Sequence, residues 1–141
     1  MNKYFDVNIV SPEESLFSGK AVKLFASGIQ GDLEILYGHA PLLTKLKPGT
    51  VWVVTDTGAE TVLYVSGGVL EVQPTVTTIL ADVAIRAAEL DEAQALAAKK
   101  RAEELLAGAR GDIDYAKAHY ELQEAVAKLR ILQKVKDTTR V

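Results

Sequence analysis

The chain of 141 residues contains no cysteine and only two histidines, His39 and His119. Without a thiol there is no disulfide, thiolate zinc site, iron–sulfur cluster or cysteine nucleophile, and two imidazoles exclude a histidine-rich metal site. No apolar run approaches the roughly 18 residues needed to cross a bilayer. The opening MNKYFDVNIV has neither a hydrophobic signal core nor an Arg/Ser-rich transit pattern, so the chain is expected to be kept in the cytosol.

Nucleotide-hydrolysing and acyl-transfer signatures are also missing. A phosphate-cradling loop requires Gly-x-x-x-x-Gly-Lys-Ser/Thr, yet Gly19-Lys20 has Glu14 at the first glycine position and Ala21 after the lysine. Ser66 lies in Val65-Ser66-Gly67-Gly68, but Tyr64 occupies the first glycine position of a nucleophile elbow and strand-like sequence follows it, so it reads as a turn serine. Glu13 and Glu14 are adjacent carboxylates after Pro12, where side chains ordinarily face water. Excess positive charge is missing too: the net charge is −3, which argues against a general nucleic-acid binder that must displace counterions from phosphates.

What the chain does have is 48% hydrophobic and 25% charged residues, the composition of an ordinary folded protein, and a change of period near Asp82. Before it, Phe5, Val7 and Ile9 alternate with Tyr4, Asp6 and Asn8, the pattern of a half-buried strand. Further β-rich runs occupy residues 21–27, 33–36, 50–56, 60–65, 69–72 and 75–80. Turn residues such as Ser18-Gly19, Gly28, Lys47-Pro48-Gly49, Asp56-Thr57-Gly58 and Ser66-Gly67-Gly68 separate them. About 8–10 short strands with regular punctuation predict a β-sandwich or barrel over residues 1–84. Thr57-Gly58 is placed to turn a hairpin, and Pro12, Pro41, Pro48 and Pro74 fall at run ends, where a missing N–H costs no ladder bond.

After the change, residues 85–141 carry eleven basic and ten acidic side chains, against five and nine in residues 1–84. Asp91 with Gln94 three residues on predicts a helix over about 91–107. Gly108-Ala109-Arg110-Gly111 stops it, and Asp112 or Asp114 can cap a second helix over about 113–136. So short a connection favours an antiparallel hairpin. Its predicted seam runs along Ala95, Ala98, Ala102, Leu105 and Ala109 on one helix and Tyr115, Ala118, Leu122, Ala125, Leu129 and Leu132 on the other. Alanine buries little area, so the hairpin is expected to be weakly held and open to a competing partner. Asp112, Asp114, Glu121 and Glu124 come early in the second helix, and Lys128, Arg130, Lys134, Lys136 and Arg140 late. That gradient matches the helix macrodipole and equally suits a basic probe for an acidic protein surface.

Taken in order, Val10-Ser11-Pro12-Glu13 with Phe17-Ser18-Gly19, Gly38-His39-Ala40-Pro41-Leu42-Leu43-Thr44 with Lys47-Pro48-Gly49, Tyr64 through Pro74, and Leu80-Ala81-Asp82-Val83-Ala84-Ile85-Arg86 resemble the epsilon subunit of bacterial F-type ATP synthases. With the helical tail, the resemblance covers essentially the whole chain. It implies a β-sandwich followed by a C-terminal helical hairpin, in a non-catalytic subunit of the central rotor stalk that couples proton flow through the c-ring to ATP synthesis. The implied partners are the gamma subunit, the c-subunit ring and, through an extended hairpin, the alpha/beta catalytic head. The implied location is the cytoplasmic face of the bacterial inner membrane, reached only through the complex.

The resemblance also implies site residues. Ile29, Gln30, Gly31, Asp32 and His39 lie in the segments that meet the c-ring in that family, with Glu34 and Tyr37 here replacing the usual Gly and Pro. The hairpin is implied to inhibit ATP hydrolysis, with Lys128, Arg130, Lys134 and Lys136 docking on the head. Some relatives bind ATP through Leu/Ile-Asp-x-x-Arg-Ala; here Leu90-Asp91-Glu92-Ala93-Gln94-Ala95 has Gln94 in place of the arginine that would meet phosphate charge, so nucleotide binding is expected to be weak or absent. No catalytic residue, metal or cofactor is expected. Fold-level reading by itself leaves open a free-standing adaptor module of the same architecture.

Overall fold

Alternating burial along Phe5-Asp6-Val7-Asn8-Ile9 sets the first strand, β1 (Phe5–Val10), whose odd-numbered side chains enter the core. The structure, a computed structural model, describes residues 3–139. After β1 come β2 (Ser15–Gly28), β3 (Gly31–Leu36), β4 (Leu42–Thr55), β5 (Glu60–Val65), β6 (Gly68–Val72), β7 (Val76–Ala81) and β8 (Ala84–Arg86). A 3-10 turn over Ala87–Glu89 leads to the helices α1 (Glu92–Ala107) and α2 (Asp112–Thr139). The chain divides into two units between Arg86 and Ala87.

Two strands organise the first unit. The first half of β2 pairs antiparallel with β1, as in Phe5 opposite Ala21, and its second half pairs with β3 and with the second half of β4. In the same way, β4 pairs with β6 over Leu42–Leu46 and with β5 over Gly49–Val54. One ladder therefore runs β2-β1-β7-β6-β4 and the other β3-β2-β4-β5-β8, both sharing β2 and β4, with β1 and β7 the parallel pair. This is a β-sandwich closed by shared strands. Its core contains Val7, Ile9, Leu24, Val53, Leu63, Leu70 and Ile79, all fully buried. Each such side chain contributes on the order of 1.5–3 kcal/mol relative to an exposed one.

Two predicted separators lie inside strands. Ser18-Gly19 falls within the 14 residues of β2, and Lys47-Pro48-Gly49 within the 14 of β4. The physical reason is that a strand changing sheets needs the same residues as a turn. Pro48 sits between the ladder to β6, which ends at Leu46, and the ladder to β5, which begins at Gly49, so its missing N–H breaks neither. Gly49 lies so close to β2 that an added Cβ would stand 2.6 Å from Ser27 Cβ. The Thr57-Gly58 turn forms as predicted, with Gly58 N–H donating to the Thr55 carbonyl at 3.0 Å. β8 escapes sequence reading because three residues, Ala84-Ile85-Arg86, are too few to show a period.

In the second unit, Asp91 caps α1: its backbone is extended and its Oδ1 accepts from the Gln94 N–H at 3.1 Å. Gly108 ends the helix, its N–H donating to the Glu104 carbonyl at 3.2 Å. The start of α2 differs from the expectation. The Gly111 carbonyl already accepts from Tyr115 N–H, so Asp112 and Asp114 lie inside the first turn, where they complement the macrodipole instead of capping. The helices form an antiparallel pair with Ala95 and Ala102 of α1 and Ala118 and Ala125 of α2 buried. Leu105 and Tyr115 are about half exposed, so the seam does not extend to the connection. A strict 3.5-residue repeat drifts off the contact line of a 3.6-residue helix, and Leu106 is the more covered neighbour. Ile131, outside the predicted seam, is fully buried.

Candidate functional site

Gly28 pairs with Gly31, so Ile29 and Gln30 form a two-residue turn between β2 and β3. Ile29 is 61% exposed, while its N–H donates to the Lys45 carbonyl at 2.9 Å and ties the turn to β4. Asp32 follows on β3, opposite Ser27. His39 lies beyond the far end of the same strand. Its N–H donates to the Leu36 carbonyl at 3.1 Å, and its Nδ1 is 2.6 Å from the Ala40 carbonyl oxygen. A carbonyl can only accept, so Nδ1 is the donor in this contact.

The Ile29-Gln30 turn and the His39 loop thus lie at opposite ends of β3, roughly 20 Å apart at 3.3 Å per residue. They do not converge into one small patch. Ile29, Gln30, Gly31 and Asp32 form one group, and His39 a second, beside exposed Leu36 and Tyr37. Between them, Glu34 pairs with Lys23 at 2.8 Å, and Lys23 also stands 5.5 Å from the centre of the Trp52 ring. Glu34 is therefore anchored to β2, beside the aromatic ring of β4.

The late basic residues of α2 divide between two faces. At 100° per residue, Arg130 and Lys134 lie nearly in line, while Lys128 and Lys136 lie on the side of the seam. Lys128 Nζ is 3.4 Å from Glu124 one turn earlier, and Lys136 Nζ is 2.8 Å from Glu92 Oε2 on α1. Arg140 lies outside the described residues. Asp91 and Gln94 meet through the helix cap, which engages the Asp91 carboxylate in starting α1.

Ser66 is a structural turn residue. Its N–H donates to the Val83 carbonyl at 2.9 Å and its Oγ accepts from Val83 N–H at 3.1 Å, joining the chain before β6 to the chain after β7. Glu14 stands 3.9 Å from Arg86, and Arg86 Nη2 donates to the Leu16 carbonyl at 3.3 Å. Sequence reasoning assigned no role to this Arg86 anchor or to Glu92. Neither leaves a signal in spacing, because each partner comes from a distant part of the chain. Among the described residues no three His, Cys, Asp or Glu side chains gather as a metal site, and no helix is long and apolar enough to cross a membrane.

Two family models together cover these units. The ATP synthase delta/epsilon chain β-sandwich domain matches residues 4–87, and the ATP synthase delta/epsilon chain long alpha-helix domain matches residues 88–133. The chain belongs to the ATP synthase delta/epsilon family. Solved structures with the same fold include a chain of the Euglena gracilis mitochondrial ATP synthase OSCP/F1/c-ring assembly, 17% identical, with a TM-score of 0.84 over 92% of this chain and 82% of that one. Another is a chain of the Tetrahymena thermophila mitochondrial ATP synthase central stalk and c-ring, also 17% identical, with a TM-score of 0.56 over 93% and 95%. Membership accounts for the sandwich and the helical unit as the two domains of one delta/epsilon chain.

Proposed function

We propose that this chain is a non-catalytic central-stalk subunit of a proton-translocating F-type ATP synthase, coupling rotation of a c-ring to ATP synthesis and restraining ATP hydrolysis through its hairpin. The observation that carries the reading is the match of both units, in order, to the two delta/epsilon domains. The sandwich is the fixed part, bound to gamma and resting on the ring through the Ile29-Gln30-Gly31-Asp32 turn and the His39 loop. The second unit is the conditional part, with Lys128, Arg130, Lys134 and Lys136 meeting acidic surface on the catalytic head. The chain sits on the cytoplasmic face of the membrane only through the complex. Asp91 and Gln94 bind no nucleotide, which isothermal calorimetry of the chain with ATP checks by the absence of micromolar binding.

The deciding experiment is removal of the chain after about Ala88, just past the last strand of the sandwich. Assembly with gamma and c subunits should persist while ATP hydrolysis by the purified complex rises. Unchanged hydrolysis would remove the inhibitory role, and loss of assembly would make the hairpin a structural part. Failure of gamma and c subunits to co-purify with the full chain would favour a free-standing adaptor.

A further inference from the structure

Glu92 is the first residue of α1 and Lys136 lies in the last turn of α2, yet their charged atoms are 2.8 Å apart. The pair spans 44 positions in sequence and closes the end of the hairpin opposite its connection. Glu92 follows directly on Asp91, whose bond to Gln94 N–H fixes the first helical turn, so the carboxylate is presented from an ordered backbone. By contrast, Glu124 and Lys128 lie one turn apart on the same helix and stay together whether or not the helices separate. Apart from Ile131, the fully buried side chains among the described residues of the two helices are alanines, with half-buried Leu122, Leu129 and Leu132 beside them, so the apolar area holding the helices together is modest. A charge pair at the open end then has a large relative influence on whether the pair of helices stays shut.

We propose that Glu92–Lys136 is a latch on the hairpin, and that it occupies in the closed form a cation that docks in the open form. The second half rests on the proposed role of Lys136 as a docking residue; the first half does not. One consequence separates this device from an ordinary surface ion pair. Neutralising Glu92 loosens the hairpin and leaves the charge of Lys136 intact, so restraint of hydrolysis deepens. Neutralising Lys136 loosens the hairpin equally but removes the docking charge, so restraint does not deepen. The two halves of one ion pair act with different outcomes.

The test uses the full chain, whose lack of native cysteine allows spin labels at Leu96→Cys and Gln133→Cys on adjoining helices. Distance distributions are measured for the parent, Glu92→Gln, Lys136→Gln and the double variant, with Glu92→Asp as a charge-retaining control and far-UV circular dichroism as a check on folding. Each neutral variant should raise the open-to-closed ratio by about two- to fivefold at low salt, the range of half-exposed ion pairs. The double variant should exceed neither single, and the differences should vanish near 1 M salt, where screening acts within roughly 3 Å. Unchanged distances in Glu92→Gln, or effects that add in the double variant, overturn the latch. In the assembled complex, Glu92→Gln should hydrolyse ATP more slowly than the parent while Lys136→Gln does not. Shifted distances with parental hydrolysis in both variants would keep the latch and overturn the docking role.

Discussion

Arg86 Nη2 donates to the carbonyl of Leu16 at 3.3 Å, a bond that joins residues 70 positions apart at the last strand before the helical unit. The same guanidinium approaches Glu14 at 3.9 Å. Glu14 is itself held in a turn, its N–H donating to Ser11 Oγ at 3.3 Å. β8 is only three residues long and, among the described residues, pairs with β5 alone, so this side-chain clasp supplies fixation that a short ladder cannot. Arg86→Ala should cost about 1 kcal/mol of stability, most of it from the carbonyl bond because the half-exposed pair with Glu14 is screened. Hydrogen exchange should accelerate at Ala84–Arg86 while the amides of β1 and β7 are unchanged. Uniform acceleration across the sandwich would contradict a local clasp.

Gly68 tolerates no side chain. Its φ is +138°, and an added Cβ would stand 2.1 Å from the Leu80 carbonyl oxygen and 2.9 Å from Ala81 Cα, both backbone atoms that cannot rotate away. Gly68→Ala should destabilise the chain by roughly 2–4 kcal/mol, from backbone strain and forced displacement of β7. Equilibrium denaturation reads this directly as a lower midpoint, and a parental midpoint would refute the close approach.

Because the Ile29 turn and His39 lie at opposite ends of β3, they probe ring contact independently. In the absence of native cysteine, Gln30→Cys and His39→Cys each give a single labelling site. Each should cross-link to the c subunit in the assembled complex. A product from Gln30→Cys alone would restrict the ring contact to the turn and assign His39 to another neighbour.

Replacing Lys128, Arg130, Lys134 and Lys136 together by alanine should relieve restraint of hydrolysis severalfold at low salt, since exposed charge pairs contribute up to about 1 kcal/mol each. Their division between two helix faces adds a second expectation. The Arg130/Lys134 pair and the Lys128/Lys136 pair, mutated separately, should each produce part of the effect. Equal relief at high and low salt would contradict an electrostatic contact.

The sequence made the fold class legible because period and punctuation are local properties. Phe5-Val7-Ile9, the Thr57-Gly58 turn and the Asp91 cap are each settled within a few residues. What escaped was non-local. Pro48 and Gly49 look like a loop because strand-crossing and turning ask for the same residues, and only the partners β5 and β6 distinguish the two. Glu92 reads as an acidic residue suited to a helix start, and nothing nearby shows that it meets Lys136. For the candidate site, ordered motifs named the segments to inspect, but their separation along β3 required the register of Gly28 against Gly31.

The sharing of β2 and β4 by both ladders has a mechanical consequence. A sandwich made of two separate sheets can slide or splay along the plane between them. Here each of two 14-residue strands is bonded into one layer at its first half and the other at its second. A pull on the Ile29 turn is carried along β2 as shear across many ladder bonds at once, instead of peeling them singly. Neither layer can be displaced along β2 or β4 without straining ladder bonds of the other.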